Sequence, residues 1–94
     1  MTLKTIEPPP ILFHGTATRN LQSIENKGLI KDSRHHVHLS VEESTAKKVG
    51  SRHGVPVVLK IKAQEMFEAN FVFLMSENGI WLTEHVPSQF LIFP

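Results

Sequence analysis

At 94 residues the chain has material for one small domain, and its 40% hydrophobic content is that of a globular protein, which excludes disorder. A net charge of +1 with histidines neutral argues against a basic surface that coats nucleic acid. The absence of cysteine excludes disulfide scaffolds, thiolate zinc sites and cysteine nucleophiles, and no apolar run approaches the ~20 residues needed to span a bilayer.

Residues 1–10 are polar and end in Pro8-Pro9-Pro10, which favours an extended, semi-rigid leader or linker, so the folded domain is expected over 11–94. A short strand is predicted over 11–13. Thr18 is placed to N-cap a helix with an inner stripe of Leu21, Ile24 and Leu29, stopped by Gly28. A second strand covers 37–39. Ser40 then caps a helix, with Glu43 three residues on completing a capping box and Ala46 and Val49 facing inward before Gly50. Val57, Leu59 and Ile61 alternate with Val58, Lys60 and Lys62, which predicts a half-buried strand. A helical turn follows over 63–69. Apolar runs over 71–75 and 80–82 flank Ser76-Glu77-Asn78-Gly79, and Asn-Gly in that setting predicts a tight hairpin. A closing strand is expected over 90–93. This order predicts an α+β domain with a curved, mostly antiparallel sheet and short flanking helices.

The chemistry concentrates in Ser33-Arg34-His35-His36-Val37-His38-Leu39-Ser40. Strand alternation sends Val37 and Leu39 toward a core and His36, His38 and Ser40 toward the opposite face. Arg34 stands at the mouth of that strand, where its planar fork suits a phosphate. His14 and Gly15 close the apolar run that begins at Ile11, so two strands deliver imidazoles and small polar groups to their ends. Gly50 and Gly54 around Arg52 also suit close approach to a phosphate. Together these features point to a polyanionic ligand. His36 and His38, with His14 or His35 as a third ligand, offer a metal-binding alternative, but no Asp, Glu or Cys lies nearby in sequence to complete the shell. His14 also has a plainer reading as a hydrogen-bonded core histidine.

Taken in order, His14-Gly15-Thr16, Gly28-Leu29, the run Arg34 to Ser40, Gly50 to Pro56, Ser76 to Leu82 and Val86-Pro87 resemble the RNA 2′-phosphotransferases. Asn70 stands where that pattern has glycine, and Leu74 where it has tyrosine. The resemblance implies an ADP-ribosyltransferase-like lobe that binds NAD, consumed as a substrate. It covers the C-terminal of two lobes, and nothing here matches the N-terminal lobe that supplies further cations for the RNA phosphate. A truncated piece, with 1–10 as the interlobe linker, is therefore expected rather than a short natural relative.

The implied reaction moves a splice-junction 2′-phosphate from tRNA to NAD, giving ADP-ribose 1″,2″-cyclic phosphate and nicotinamide. By the same resemblance Arg34 is the catalytic cation. His14, Gly15 and Thr16 would contact the nicotinamide ribose and amide, His38 and Ser40 would line the cleft, Arg52 would reach the pyrophosphate, and Ser76 and Asn78 would shape the rim. No metal is implied. The expected setting is a cytoplasmic monomer, away from membranes, whose partners are NAD and 2′-phosphorylated RNA. The 94 residues alone are expected to be inactive. The alternatives are an NAD or ADP-ribose binding module without turnover, a small RNA-binding domain, and a metal-binding regulator.

Overall fold

A computed structural model describes residues 4–31 and 35–94. In chain order, strands β1 (Lys4–Thr5) and β2 (Leu12–Ala17) lead into a 3₁₀ turn (Thr18–Asn20) and helix α1 (Leu21–Lys27). Strands β3 (Leu29–Ile30) and β4 (Val37–Leu39) precede helix α2 (Glu43–Ser51), strand β5 (Pro56–Ile61) and helix α3 (Ala63–Glu68). The chain ends with β6 (Phe73–Met75), β7 (Trp81–Thr83), β8 (His85–Val86), a 3₁₀ turn (Ser88–Phe90) and β9 (Leu91–Ile92). Every pairing among these strands is antiparallel, in sheets ordered β1-β6-β7-β4, β2-β5-β9 and β3-β8. This is the α+β class with antiparallel sheets and short helices that the sequence predicts.

The sheets enclose one core. Leu12, Leu39, Leu59, Ile61, Met66, Phe73 and Val86 are fully buried in it. Phe73 meets Trp81 edge-on, with ring centroids 6.5 Å apart, and Phe71 meets Phe90 at 5.4 Å. Burying a side chain of phenylalanine size contributes roughly 1.5–3 kcal/mol, and the edge contact adds to that. The β5 alternation holds where it counts: Leu59 and Ile61 are buried and Lys60 is exposed.

Several elements differ from expectation for identifiable reasons. The first strand starts at Leu12, Ile11 being exposed, and continues four residues past the expected end, through His14 and Gly15 to Ala17. Pairing with β5 from Leu12↔Ile61 to Ala17↔Pro56 carries it on. Gly15 is there because α2 lies directly on it: a methyl group on Gly15 would overlap the Ala46 carbonyl oxygen and lie 2.9 Å from the Gly50 nitrogen. Thr18 caps nothing by its side chain, since the 3₁₀ turn forms the entry to α1. Gly28, at φ 74°, ends that helix as expected, its N–H donating to the Ile24 carbonyl.

The capping box at Ser40 and Glu43 does not form. Ser40 instead extends the strand region, exchanging two backbone hydrogen bonds of 2.8 Å with Phe13, and α2 starts at Glu43 without a side-chain cap. The helix also runs past Gly50 to Ser51. Within the expected leader, Lys4–Thr5 pair with β6, and the Ile6 N–H donates to the Phe73 carbonyl. After α3, Asn70 takes φ 75°, the left-handed region that glycine favours and asparagine tolerates. That accounts for asparagine standing in a glycine position. The hairpin is present, with Gly79 at φ 80°, its N–H donating to Ser76, and the Ser76 N–H donating to Ile80. It is a longer turn than a two-residue loop, and its strands are Phe73–Met75 and Trp81–Thr83. The closing strand shortens to Leu91–Ile92 behind the 3₁₀ turn.

Candidate functional site

The Phe13–Ser40 exchange holds the start of β2 beside the end of β4, and residues of both strands line a cleft. The cleft encloses about 600 Å³. β2 contributes His14, Gly15 and Thr16; β4 and its approach contribute His36, Val37, His38, Leu39 and Ser40. α2 adds Thr45, Val49 and Arg52, the last at its C-cap. A smaller recess of about 310 Å³ adjoins it along α1 and shares His14, Thr16, Asn20, Leu29 and Ile30 with it.

The β4 alternation works as the sequence predicts. Val37 and Leu39 are buried, while His38 is exposed on the cleft side. The His14 Nδ1–H donates to the His38 backbone carbonyl at 3.0 Å. A carbonyl can only accept, so Nδ1 is the nitrogen that carries a proton in this bond. Thr16 is buried, and its Oγ1 accepts a hydrogen bond from Asn20 Nδ2 at 3.1 Å. The Thr16 hydroxyl oxygen is thereby held by a neighbour four residues ahead in the chain.

The ionisable side chains lining the cleft are all bases, with Lys31 and Arg52 as its permanent cations. His14, Lys31, His36, His38, Arg52 and His53 are all basic, and no carboxylate lines it among the described residues. The chain-wide charge of +1 hides this segregation, because the described acids lie elsewhere. A concave surface lined by one sign of charge focuses field and attracts the opposite sign.

Of the residues predicted from sequence, His14, Gly15, Thr16, His38, Ser40 and Arg52 line the cleft together. Ser76 and Asn78 do not. The Ser76 Oγ accepts the Ile80 N–H at 3.1 Å inside the turn, and Ile80 reaches the cleft instead. Arg34 lies outside the described residues. Sequence reasoning missed Asn20, Lys31, Thr45, Val49 and Ile80. Thr45, Val49 and Arg52 stand at i, i+4 and i+7, a spacing that marks one helix face and was open to view. Asn20 carries no such signal, because it sits in a turn that reads as part of the helix. Among the described residues no group of three or more His, Asp or Glu side chains is placed to hold a metal ion. The histidine-based metal alternative thus gains no geometric support.

Comparison with known proteins adds a family. The sequence profile described as RNA 2′-phosphotransferase, Tpt1/KptA family matches residues 1–85. A probable RNA 2′-phosphotransferase of Acaryochloris marina is 53% identical over 92 residues, covering 98% of this chain and 51% of the relative. One from Pseudomonas fluorescens is 54% identical over 91 residues, with 97% and 50% coverage, and one from Shigella boydii 56% over 84 residues, with 89% and 46%. The chain spans about half the length of the curated relatives it matches.

Proposed function

Because the chain belongs to the RNA 2′-phosphotransferase family, we propose that these residues form its NAD-binding lobe, within an enzyme that moves a splice-junction 2′-phosphate from tRNA to NAD. The products are ADP-ribose 1″,2″-cyclic phosphate and nicotinamide. The observation that carries this reading is the cleft whose ionisable lining is entirely basic and which continues into a second recess. Two connected recesses of about 600 and 310 Å³ lie in the range of small-molecule sites and suit a long, two-part anionic ligand. The lobe works as a monomer in the cytoplasm. No described helix is long and apolar enough to cross a membrane.

Bound NAD supplies an electrophilic ribose carbon and a nicotinamide leaving group. The protein's part is positioning and charge neutralisation. A phosphate monoester has its second pKa near ~6, so at neutral pH it is an anion that needs no general base. Arg34 neutralises and orients that phosphate through its two-pronged fork. Arg52, at the C-cap of α2, takes the pyrophosphate. His14, with its Nδ1 proton committed to His38, and Thr16, with its hydroxyl set by Asn20, hold the ribose and amide end. Gly15 lets α2 close on β2, which brings Arg52 and Thr45 to the same cleft. His38 and Ser40 complete the wall, and Ser76 and Asn78 shape the rim through the turn that presents Ile80.

A phosphate dianion approaching a pyrophosphate meets like-charge repulsion that several cations must offset. These 94 residues bring Arg34 for that task, with Arg52 committed to NAD, so by themselves they bind NAD without releasing RNA phosphate. The test is NAD-dependent loss of 2′-phosphate from a 2′-phosphorylated oligoribonucleotide. It is run with this chain alone and with the chain fused behind the N-terminal half of the Acaryochloris marina relative. The fusion is expected to turn over and the chain alone is not. Arg34→Ala in the fusion should cost on the order of a hundredfold in rate. Robust turnover by the chain alone would overturn the division of labour. A folded, NAD-binding fusion without turnover would overturn the transferase reading.

A further inference from the structure

Lys31, a lysine of the cleft lining, is paired with an acid. β3 and β8 pair through Leu29↔Val86 and Ile30↔His85, so residues 31 and 84 emerge opposite each other one step beyond the ladder. There Lys31 Nζ donates to Glu84 Oε2 at 2.7 Å, with the two side chains 46% and 68% exposed. Lys31 lines the cleft and Glu84 does not. Lys31 holds the Glu84 carboxyl below its usual range by hydrogen bond and charge, and the His36 imidazole, which also lines the cleft, pulls the same way. The carboxylate therefore stays ionised against the edge of an otherwise basic site. An ion pair this exposed is weak, so a competing anion can displace the carboxylate from the ammonium group.

We propose that Lys31 is a further phosphate-binding residue of the cleft, positioned and partly neutralised by Glu84 until a phosphate group of the ligand displaces the carboxylate. The inference rests on the reading of the cleft as a site for NAD and 2′-phosphorylated RNA. The phosphate could belong to either, and the experiment separates them. Glu84 then acts as a positioning residue: it preorganises the ammonium group at the rim and sets how strongly an anion must bind to claim it. Competition of this kind makes affinity depend on both side chains together, which an unrelated surface pair would not do.

Isothermal titration of the 94-residue chain with ADP-ribose, and separately with a single-stranded 2′-phosphorylated oligoribonucleotide, tests this with K31M, E84Q and the double variant. At low salt E84Q should tighten binding about twofold to fivefold and K31M should weaken it by a similar factor, the range of one exposed ion pair. Most of the E84Q gain should vanish when Met replaces Lys31. The ligand that responds identifies the phosphate. If it is the RNA, K31M should also flatten the dependence of log affinity on log salt by about 0.7. Unchanged or weaker binding by E84Q, or the same E84Q gain with and without Lys31, overturns the proposal. Wild-type protein that binds neither ligand overturns the reading of the cleft on which it rests.

Discussion

Gly15→Ala should be among the most damaging single-methyl additions in this chain, and the structure says how damaging. The new carbon would lie 2.5 Å from the Ala46 carbonyl carbon and 2.9 Å from the Gly50 nitrogen, besides overlapping the Ala46 oxygen. These are backbone atoms in the middle of α2, so no side-chain rotation relieves the clash and the helix must move off β2. Overpacking typically costs 1–3 kcal/mol when side chains can yield. Here a cost of about 3 kcal/mol or more is expected, which for a domain of this size lowers Tm by roughly 12–24 °C. Thermal melts followed by circular dichroism would measure it. Gly79→Ala is the control: it carries the burden of a positive φ of 80°, which Gly15 does not, but meets nothing within 4 Å, and should cost only about 1 kcal/mol. Gly50→Ala probes the same contact from the helix side, where its methyl would lie 2.7 Å from the Thr16 oxygen. A Gly15→Ala melt within a few degrees of wild type would refute the close approach of α2 to β2.

Thr83→Val should destabilise by about 1 kcal/mol in urea unfolding, because the buried Thr83 hydroxyl donates to the Val72 carbonyl at 3.0 Å and valine leaves that oxygen without its donor. A neutral result would remove the bond from the account. Glu84 should titrate below the ordinary glutamate range in a carbon-detected NMR pH series, and K31M should return it most of the way to that range. Since the folded-state pKa is depressed, the pair's stabilisation is present above the unfolded value and is lost as pH falls through the folded one. A Glu84 midpoint at the ordinary glutamate value would contradict the ion pair.

How much of this was legible in the sequence depends on the range of the forces involved. The alternation of Val37 and Leu39 against His36 and His38 is a local pattern, and the fold follows it directly. Gly28 and Asn78-Gly79 are local turn chemistry and act as such. What stayed hidden was set by partners far along the chain. Gly15 reads as the end of a strand, and only the passage of α2 over it explains a glycine in mid-strand. Ser40 and Glu43 have the spacing of a capping box, but pairing with Phe13 satisfies the Ser40 backbone first. Two-residue strands such as Leu29–Ile30 and His85–Val86 are too short for any periodicity, and their pairing depends on each other. The site shows the same division. His14, Gly15, Thr16, His38, Ser40 and Arg52 could be named from motifs, whereas Lys31 reaches the cleft through the β3–β8 pairing and Ile80 through a serine-anchored turn.

The central claim is that the basic cleft between β2, β4 and α2 binds NAD. Titrating isotopically labelled protein with NAD or ADP-ribose and following backbone amides tests it most directly. The account predicts saturable shifts at Gly15, at residues 36–40 and at Arg52, with Lys60 on β5 and Glu68 on α3, neither of which lines the cleft, nearly still. Saturable binding that moves Lys60 and Glu68 while leaving the cleft amides in place would contradict it.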